Sequence, residues 1–318
     1  MQYYFAPMEG ITGSIYRNTF HRCFTPLDRY YTPFLSPTQD RRLTARQWSE
    51  IDPERNAGLD LVPQLLTNNA ELFVWAAKEL AAIGFREVNL NLGCPSGTVV
   101  KKKKGSGLLG QREILEPMLE EIYSHSPIAV SIKTRIGLHE EDEFDALLEL
   151  YNQYPICELI VHPRIQKDMY RGDVRMSAFQ KTAERAKMPL CYNGDIFTPE
   201  DAVKIGQDFP SVKSMMLGRG IVANPGLVGY LRTGQWATLS QVREFHDSLY
   251  AQYRDAMPGL KPTLFKMREV WCYLACMFDR PEKALKAIRK AGSFPEYEAA
   301  AKTLFASCPF VPDGIYRW

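Results

Sequence analysis

Short runs of β-branched and aromatic residues alternate along this chain with longer segments whose apolar residues recur at helical spacing. Strands favour β-branched and aromatic side chains, whereas a helix buries an apolar stripe, so the alternation predicts repeated βα units. Eight strands are predicted, at residues 3–6, 28–32, 61–65, 87–91, 128–133, 158–162, 190–192 and 212–217. Helices are predicted between them, for example at 70–83, 113–124, 141–154, 176–186 and 198–207. Eight units over about 230 residues match a closed (β/α)8 TIM barrel.

The strand pattern stops after about residue 235, and the rest of the chain shows only helical periodicity. Helices are predicted at 239–254, 264–278, 281–291 and 297–306. We therefore predict an α/β protein of two domains, a (β/α)8 barrel over residues 1–235 and a small helical domain over residues 236–318.

The predicted helical domain carries a modest excess of positive charge. It holds twelve Lys or Arg against nine Asp or Glu, and Lys283, Lys286, Arg289 and Lys290 fall on neighbouring turns of one helix. Such a face can bind a polyanion or can simply be solvated, and both interpretations stay open here. The formal net charge of +2 for the whole chain is too small to indicate a nucleic-acid partner.

Neither secretion nor membrane insertion is predicted. No stretch of eighteen apolar residues occurs, and the first ten residues, MQYYFAPMEG, lack the basic-then-apolar order of a signal peptide. With 45% hydrophobic and 24% charged residues, the composition is that of an ordinary soluble globular protein. We expect a cytoplasmic protein with no membrane partner.

The seven cysteines are odd in number and scattered through apolar sequence, which argues against a disulfide framework. Most are therefore expected to be buried thiols. Cys272 and Cys276 share one face of a predicted helix, but no partner pair or His cluster at zinc-ligand spacing accompanies them. We expect these two to pack in the core, and we expect no bound metal.

In a (β/α)8 barrel the reactive groups follow the carboxyl ends of the strands. Candidates for such groups lie at the end of every predicted strand of this chain or directly after it, so we expect them to converge at one mouth. They are Pro7 and Met8, Tyr31 and Thr32, Gln64, Asn91 with Cys94, Lys133 with Arg135, His162 with Arg164, Asn193, and Gly218 with Arg219.

The loops after the seventh and eighth strands have the composition of a phosphate site. YNGDI at 192–196 supplies Asn193, Gly194 and Asp195, and MLGRG at 216–220 supplies Gly218 and Arg219. Backbone N–H groups in these two loops bind phosphate in many barrels, and glycine lets the backbone approach closely. Glycines in ordinary tight turns are the alternative for either loop alone.

Three further side chains could carry chemistry. Lys133 ends an apolar predicted strand, where its charge is costly unless it faces a polar site, and it could hold negative charge on a bound group. His162 is equally compatible with a buried, hydrogen-bonded histidine. Cys94 lies between a glycine and a proline on a loop, so its thiol could donate a proton or could be structural.

Several short motifs, in this order, resemble the dihydrouridine synthase family over essentially the whole chain. Asn-Leu-Gly-Cys-Pro followed by Gly-Ser-Gly-Leu-Leu is the specific part of the resemblance. The motifs are APMEGIT at 6–12, PQLL at 63–66, VNLNLGCPSGTVVKKKKGSGLL at 88–109, IKTRIG at 132–137, VHPR at 161–164 with the following Tyr170, Arg171 and Gly172, NGDI at 193–196, and LGRG at 217–220.

The resemblance implies an oxidoreductase that uses FMN, with NADPH or NADH as reductant, to reduce the 5,6 double bond of particular uridines in transfer RNA. It implies that hydride reaches carbon 6 of uracil from the flavin, and that Cys94 gives a proton to carbon 5. The extruded uracil would be oriented by Asn91 and Arg135, with Arg164 also on the substrate side.

The cofactor and RNA contacts are implied in the same way. The flavin ring would lie over Pro7 and Met8, with Gln64 and Lys133 at its polar edge. The phosphate end would be held by His162, Asn193, Gly194, Asp195, Gly218 and Arg219. The C-terminal helices, through Lys283, Lys286, Arg289 and Lys290, would bind transfer RNA, and the protein is expected to act as a monomer.

Two segments depart from this pattern or lie outside it. The Lys101–Lys104 run is unusual for the loop after the cysteine, and it could contact RNA phosphates or merely solvate a mobile loop. The charged connection at 35–59 is long for a barrel, and no motif assigns it.

Two rival functions remain open. A flavin barrel that reduces a free pyrimidine, such as a dihydroorotate or dihydropyrimidine dehydrogenase, could carry a similar cysteine loop, but it would need no RNA-binding domain. A catalytically silent RNA-binding protein on a barrel scaffold is the second rival. The joint presence of Cys94, Lys133, His162 and the two glycine loops argues against it.

Overall fold

The computed structural model describes residues 1–317, and a parallel sheet lies at its centre. The strands are β1 (Gln2–Phe5), β2 (Arg29–Tyr31), β3 (Leu61–Val62), β4 (Gln64–Leu65), β5 (Glu87–Leu92), β6 (Ala129–Arg135), β7 (Leu159–His162), β8 (Leu190–Tyr192) and β9 (Ser214–Leu217). Their hydrogen-bonded order is β3-β2-β1-β9-β8-β7-β6-β5-β4.

The two ends of this order, β3 and β4, are separated in the chain only by Pro63. Proline has no N–H to give to a ladder, so the strand is interrupted at that point. The Pro63 carbonyl still accepts from the Asn89 N–H at 2.8 Å, and Gln64 then pairs with Asn89. Residues 61–65 thus act as one strand that pairs with β2 on one side and with β5 on the other. The predicted (β/α)8 barrel is confirmed.

The helices fall between and after the strands. They are α1 (Ser14–Cys23), α2 (Ala45–Ile51), α3 (Ala70–Ala82), α4 (Gly97–Val100), α5 (Arg112–His125), α6 (Glu143–Tyr151), α7 (Met176–Arg185), α8 (Pro199–Asp208), α9 (Arg219–Ala223), α10 (Leu227–Thr233), α11 (Leu239–Ala256), α12 (Leu260–Leu274), α13 (Glu282–Lys290) and α14 (Phe294–Ser307). The predicted helical C-terminal region is confirmed. No helix within residues 1–317 is long and apolar enough to cross a membrane.

Helix α2 occupies part of the charged 35–59 connection that no motif explained. It begins with a capping box, in which the Thr44 side chain accepts from the Gln47 N–H at 3.2 Å and the Gln47 side chain accepts from the Thr44 N–H at 2.9 Å. This reciprocal pair satisfies two backbone donors that a helix N-terminus otherwise leaves unpaired. The Thr-x-x-Gln signal was present in the sequence.

Packing divides the chain into two compact units. The first comprises Met1–Pro7, Asp28–Gly194 and Lys204–Met216, and it contains the barrel strands. The second comprises Met8–Leu27, Asp195–Val203 and the chain from Leu217 onward. This division takes α1 together with the C-terminal helices. The predicted domain boundary after residue 235 was placed where the strand pattern stops and not where packing divides the chain, and it stays a prediction.

The helices of the second unit bury a polar network. The Trp271 indole donates to the Tyr297 hydroxyl at 3.0 Å, and that hydroxyl lies 2.7 Å from His246 Nε2. A neutral His246 that donates from Nδ1 to Asp247 accepts the hydrogen of the Tyr297 hydroxyl at Nε2. His246 Nδ1 then donates to Asp247 at 2.8 Å. Each of these side chains has a partner, as a buried network requires.

The expectation that most cysteines are buried was wrong. Only Cys191 is fully buried, five are partly exposed, and Cys272 is exposed. Cys272 and Cys276 therefore do not both pack in the core. Cys272 lies on α12, but Cys276 lies in the 3-10 turn Ala275–Met277 that follows it, so the assumed regular helical face does not continue to the second cysteine.

Candidate functional site

A chain of hydrogen-bonded amides crosses the barrel interior of the first unit. Asn91 Nδ2 donates to Gln64 Oε1 at 2.7 Å, and Gln64 Nε2 donates to Asn89 Oδ1 at 2.8 Å. Asn89 Nδ2 then donates to Ser131 Oγ at 2.9 Å. All four side chains are buried. Since each amide is both donor and acceptor in this chain, the orientation of every one is fixed by its neighbours.

Asn91 also holds the loop that carries the predicted proton donor. Its Oδ1 accepts from the backbone N–H of Gly93 at 3.0 Å and from that of Cys94 at 2.9 Å. The predicted uracil ligand Asn91 is thus engaged by the protein at both ends of its amide. The strand β5 ends immediately before this loop, so Cys94 follows a carboxyl strand end, as the barrel rule requires.

The loop returns to Cys94 twelve residues later. Ser106 is fully buried, and both its backbone N–H and its Oγ donate to the Cys94 carbonyl, at 3.1 and 2.8 Å. Gly105 has φ +55°, and a Cβ there would lie 2.9 Å from the Cys94 carbonyl oxygen. The segment between these contacts contains α4 and the Lys101–Lys104 run, of which Lys101, Lys102 and Lys103 are exposed.

Arg135, predicted to orient uracil, is buried at 1% exposure, and its donors go to backbone carbonyls. Nε donates to Gly93 at 3.0 Å, Nη1 donates to Ile165 at 2.9 Å, and Nη2 donates to Met169. The guanidinium also lies 5.1 Å from the ring centroid of Tyr170. Arg135 therefore ties the Cys94 loop to the loop that follows β7.

Arg164 and His162 organise the loop after β7. Arg164 is 1% exposed, and it donates to the carbonyls of Arg171 (3.3 Å) and Gly172. Its Nη1 lies 3.1 Å from His162 Nε2. A guanidinium can only donate, so Nε2 is the acceptor and a neutral His162 carries its proton on Nδ1. Tyr170 stacks near the His162 ring and is 45% exposed.

Lys133 lies near the carboxyl end of β6, and its ammonium has no partner among residues 1–317. It is partly exposed, and no ion pair or hydrogen bond joins its ammonium to any residue from 1 to 317. Burial and the nearby Arg135 guanidinium lower the pKa of Lys133 to about 8. A positive charge in such a place is costly unless a negative ligand faces it.

The remaining predicted cofactor ligands of the first unit are Pro7, Asn193 and Gly194. All three are partly exposed. Asn193 Nδ2 donates to the Met216 carbonyl at 2.7 Å, which joins the loop after β8 to β9. A Cβ on Gly194 would lie 2.5 Å from the Tyr192 hydroxyl, so the close approach of these two residues requires glycine.

The second unit contains the other predicted ligands, Met8, Asp195, Gly218 and Arg219. The Met8 N–H donates to Thr12 Oγ1 at 2.8 Å, which fixes a turn after β1. Arg219 Nη2 lies 2.5 Å from Asp195 Oδ1, so the two predicted phosphate ligands form an ion pair. A phosphate held by Arg219 would have to share the guanidinium with this carboxylate.

The four basic residues of α13 lie on one exposed face. Ala284, Leu285 and Ile288 are buried, whereas Lys283, Lys286, Arg289 and Lys290 are exposed. None of the four makes an ion pair within the described part of the chain. Their charge is therefore available to a partner.

A cavity of about 520 Å³ opens at the opposite end of the barrel strands. Arg29, Asp60 and Glu87 line it, and Arg29 forms ion pairs with Asp60 at 3.0 Å and with Glu87 at 2.8 Å. None of the predicted site residues lines this cavity. Among residues 1–317, no three His, Cys, Asp or Glu side chains are grouped so as to hold a metal ion. The expectation that no metal binds stays a prediction.

Sequence reasoning missed Asn89, Ser131 and Ser106. The alternation Asn89, Leu90, Asn91 in an otherwise apolar strand was a signal, because residues two apart lie on the same face of a strand. Ser106 was part of a motif used only for recognition. Its contact with Cys94 depends on how the loop closes, which spacing alone does not predict.

The barrel fold is shared with solved enzymes of low sequence identity. Morphinone reductase is 13% identical, with a TM-score of 0.53 over 77% of this chain and 88% of its own. An old yellow enzyme from Trypanosoma cruzi is 11% identical, with a TM-score of 0.54 over 81% of this chain and 95% of its own. At such identities the likeness shows the fold alone.

Curated relatives are more similar in sequence. The probable tRNA-dihydrouridine synthase 1 of Synechocystis is 28% identical over 236 residues, which is 72% of this chain but only 65% of that protein. The tRNA-dihydrouridine(16) synthase of Pseudomonas putida is 28% identical over 257 residues, 78% of this chain and 79% of that one. The family model described as dihydrouridine synthase (Dus) matches residues 4–292. With nearly its whole length matched, this chain belongs to the dihydrouridine synthase family.

Proposed function

We propose that this protein is an FMN-dependent tRNA-dihydrouridine synthase that reduces the 5,6 double bond of particular uridines, with NADPH or NADH as the source of electrons. One observation carries the proposal: Lys133, a partly buried lysine near the carboxyl end of β6, lacks any anionic partner among residues 1–317. The neighbouring strand β5 leads into a cysteine loop held in place by hydrogen bonds. The names of its relatives supply transfer RNA as the substrate class.

The residues present fit a flavin. A protein that keeps a lysine partly buried without a counter-charge must compensate the desolvation cost, and an anionic ligand is the simplest compensation. Bound FMN would supply two electrons for the reduction. Lys133 and Gln64 would hold the ring's polar edge over Pro7 and Met8, and His162 and Asn193 would lie toward the phosphate end.

We assign the phosphate group of the cofactor to Gly194, Asp195, Gly218 and Arg219. In this proposal Asp195 does not bind the phosphate directly, because its carboxylate would repel it. It orients the Arg219 guanidinium through their 2.5 Å contact. Arg219 would share its guanidinium, which has five donors, between Asp195 and the phosphate.

Cys94 acts as the acid in this proposal. Reduction of the double bond adds hydride to carbon 6 of uracil and a proton to carbon 5. An unperturbed thiol has a pKa near 8.5, so it is mostly protonated at neutral pH and can give that proton. Arg135 and Arg164 keep their assignment to the substrate side, and their carbonyl contacts indicate that they act mainly by shaping the loops that receive the extruded base.

The exposed basic face of α13 is assigned to transfer RNA. Lys283, Lys286, Arg289 and Lys290 are exposed and have no acidic partner among the described residues, which suits them to phosphate contacts. A free pyrimidine would need no such face.

Mass spectrometry of nucleosides tests the proposal directly. Transfer RNA that lacks dihydrouridine is incubated with the purified protein, FMN and NADPH, and its uridines are mapped. We expect a gain of two hydrogens at one position. A protein that instead reduces only a free pyrimidine would be a small-molecule dehydrogenase. A colourless protein that binds transfer RNA without reducing it would be a silent binding protein.

The role of Cys94 has its own test. Cys94→Ala deletes the acid while leaving the cofactor and RNA contacts, so single-turnover formation of dihydrouridine should fall by about 10²-fold or more. FMN binding and transfer RNA binding should change little. Undiminished single-turnover reduction by the variant would exclude Cys94 as the proton donor.

A further inference from the structure

The peptide units on both sides of Cys94 are held by buried side chains. On the N-terminal side, Asn91 Oδ1 accepts the N–H groups of Gly93 and Cys94 at 3.0 and 2.9 Å. On the C-terminal side, the Cys94 carbonyl accepts from Ser106 twice, through N–H and Oγ, at 3.1 and 2.8 Å. Both polar groups of the Cys94 backbone are thus fixed, and the position of its Cβ follows from them.

Gly105 completes this arrangement by close packing. Its φ of +55° is in the left-handed region, and an added Cβ would lie 3.0 Å from Cys94 Cβ and 2.9 Å from Cys94 O. The backbone of Gly105 therefore lies directly against Cys94. A side chain at position 105 would displace Cys94 or its loop, because the carbonyl oxygen and the Cβ of Cys94 cannot move unless its backbone moves with them.

We propose that Ser106 is a positioning residue for Cys94: its buried hydroxyl and N–H hold the Cys94 carbonyl and thereby set where the thiol lies. The catalytic part of this inference rests on the proposed function. Proton transfer depends on geometry, since misplacement of a reacting group by about 1 Å can cost 10²-fold in rate. Ser106 touches neither substrate nor cofactor in this proposal and acts only through Cys94.

The amide chain explains why the opposite side of Cys94 is equally fixed. Asn91 could rotate its amide and lose the Cys94 N–H, but its Nδ2 is held by Gln64, and Gln64 is held by Asn89. Within residues 1–317, no other side chain hydrogen-bonds to the Ser106 hydroxyl. This hydroxyl donates to the Cys94 carbonyl at 2.8 Å, so its removal is the informative change.

The experiment compares Ser106→Ala with a matched control in the full-length protein. Thr182→Val also removes one fully buried hydroxyl that donates to a carbonyl, that of Ala178 at 2.7 Å, on α7 of the same unit. The readout is the rate at which iodoacetamide alkylates Cys94, measured by peptide mass spectrometry. Exposed Cys272 in the same sample serves as the internal reference.

We expect Ser106→Ala to change the ratio of Cys94 to Cys272 alkylation by about threefold or more, as loss of one hydrogen bond implies. Thr182→Val should leave the ratio unchanged, and Ser106→Thr, which keeps the hydroxyl, should restore it. An unchanged ratio in Ser106→Ala overturns the proposal, and so does an equal change in Thr182→Val. Should Ser106→Thr fold but not restore the ratio, the hydroxyl's role is overturned. If the added methyl group prevents folding, the first two variants decide.

Turnover separates this inference from the proposed function. With transfer RNA as substrate, Ser106→Ala should lower kcat about threefold to tenfold and leave KM unchanged, because only the acid is displaced. A wild-type protein that reduces no uridine would refute the proposed function, while the alkylation ratio would still decide the positioning role. A raised KM with unchanged kcat would refute the positioning role alone.

Discussion

Arg135 in the first unit and the basic face of α13 in the second use positive charge in opposite ways. Arg135 is 1% exposed and donates to three backbone carbonyls from two different loops. Lys283, Lys286, Arg289 and Lys290 are exposed, and none has an ion-pair partner within residues 1–317. The buried guanidinium thus serves the fold, whereas the exposed charges serve a partner or the solvent.

The difference shows why a charge at a barrel mouth is an uncertain guide to substrate contact. A guanidinium has donors arranged in a planar fork, and carbonyls of irregular loops need donors because no strand or helix supplies them. Arg135 meets that need for the loops around Gly93 and Met169. The α13 residues lie on a helix whose backbone is already satisfied, so their charge has no such internal use.

Arg135→Met should have the largest effect on stability. It leaves the Ile165 carbonyl without its donor in a buried place and the Gly93 and Met169 carbonyls without theirs in partly buried ones. A buried group left unpaired costs about 1–3 kcal/mol. We expect a decrease of about 3 kcal/mol or more in the free energy of unfolding, measured by urea denaturation.

Lys283→Met is the matched control for that change, because it removes one exposed positive charge from α13. It should alter the free energy of unfolding by no more than about 0.5 kcal/mol. Equal decreases in the free energy of unfolding of the two variants would show that the buried and the exposed cations contribute alike to stability.

Lys133 sharpens the comparison because it is partly buried yet unpartnered. Burial and the nearby Arg135 lower the pKa of Lys133 to about 8. Below pH 8 the folded protein without cofactor therefore carries a positive charge on Lys133 that is costly to bury. The unfolded state binds the proton more tightly, so this cost disappears as the pH rises from about 8 toward 10.5. Lys133→Met should therefore be more stable than the wild type at neutral pH by at most about 3 kcal/mol.

The measurement is urea unfolding of both cofactor-depleted proteins at a series of pH values. The advantage of the variant should shrink as the pH rises above 8. An advantage that is absent at neutral pH, or that grows with pH, would show that Lys133 has a counter-charge after all.

Neutralising all four basic residues of α13 to Gln should change stability least and RNA binding most selectively. Affinity for transfer RNA should fall, and the slope of log affinity against log salt should flatten by about 0.7–0.9 for each RNA phosphate that the variant no longer neutralises. Fluorescence titration over a series of salt concentrations measures the slope. An unchanged slope would move the RNA surface elsewhere on the protein.

The barrel was predictable because its strands depend on local patterns. All eight predicted strands occur, and β8 has the predicted bounds. The strand predicted at 61–65 is interrupted at Pro63 because proline lacks an N–H, and this interruption was not predicted. The pairing of residues 61–65 with both β2 and β5 depends on closure of the barrel, which no local pattern contains. The burial of the cysteines was predicted wrongly because the average burial frequency of cysteine does not indicate where a particular helix ends.

The placement of the candidate residues at the carboxyl ends of strands was predictable, but their connections were not. Asn91, Lys133 and Arg135 lie among the last residues of β5 and β6, and Cys94 follows β5. That Asn91 caps the Cys94 loop, and that Arg135 holds Gly93, depend on loops that fold back over the strands. Such loop conformations are set by many long-range contacts, so residue type and spacing could not supply them.

Because Ser106 closes the Cys94 loop, one stretch of chain has two separate roles: its ends position the thiol, and its middle forms an exposed surface. Both ends of the intervening segment are fixed, so the residues between them, including the lysine run, can differ in length and sequence without transmitting the change to the thiol. Lengthening such a loop twofold costs only about 0.6 kcal/mol in chain entropy. Natural variation can therefore accumulate in the Lys101–Lys104 segment, and new surface properties can evolve there, while the chemistry beside it is preserved.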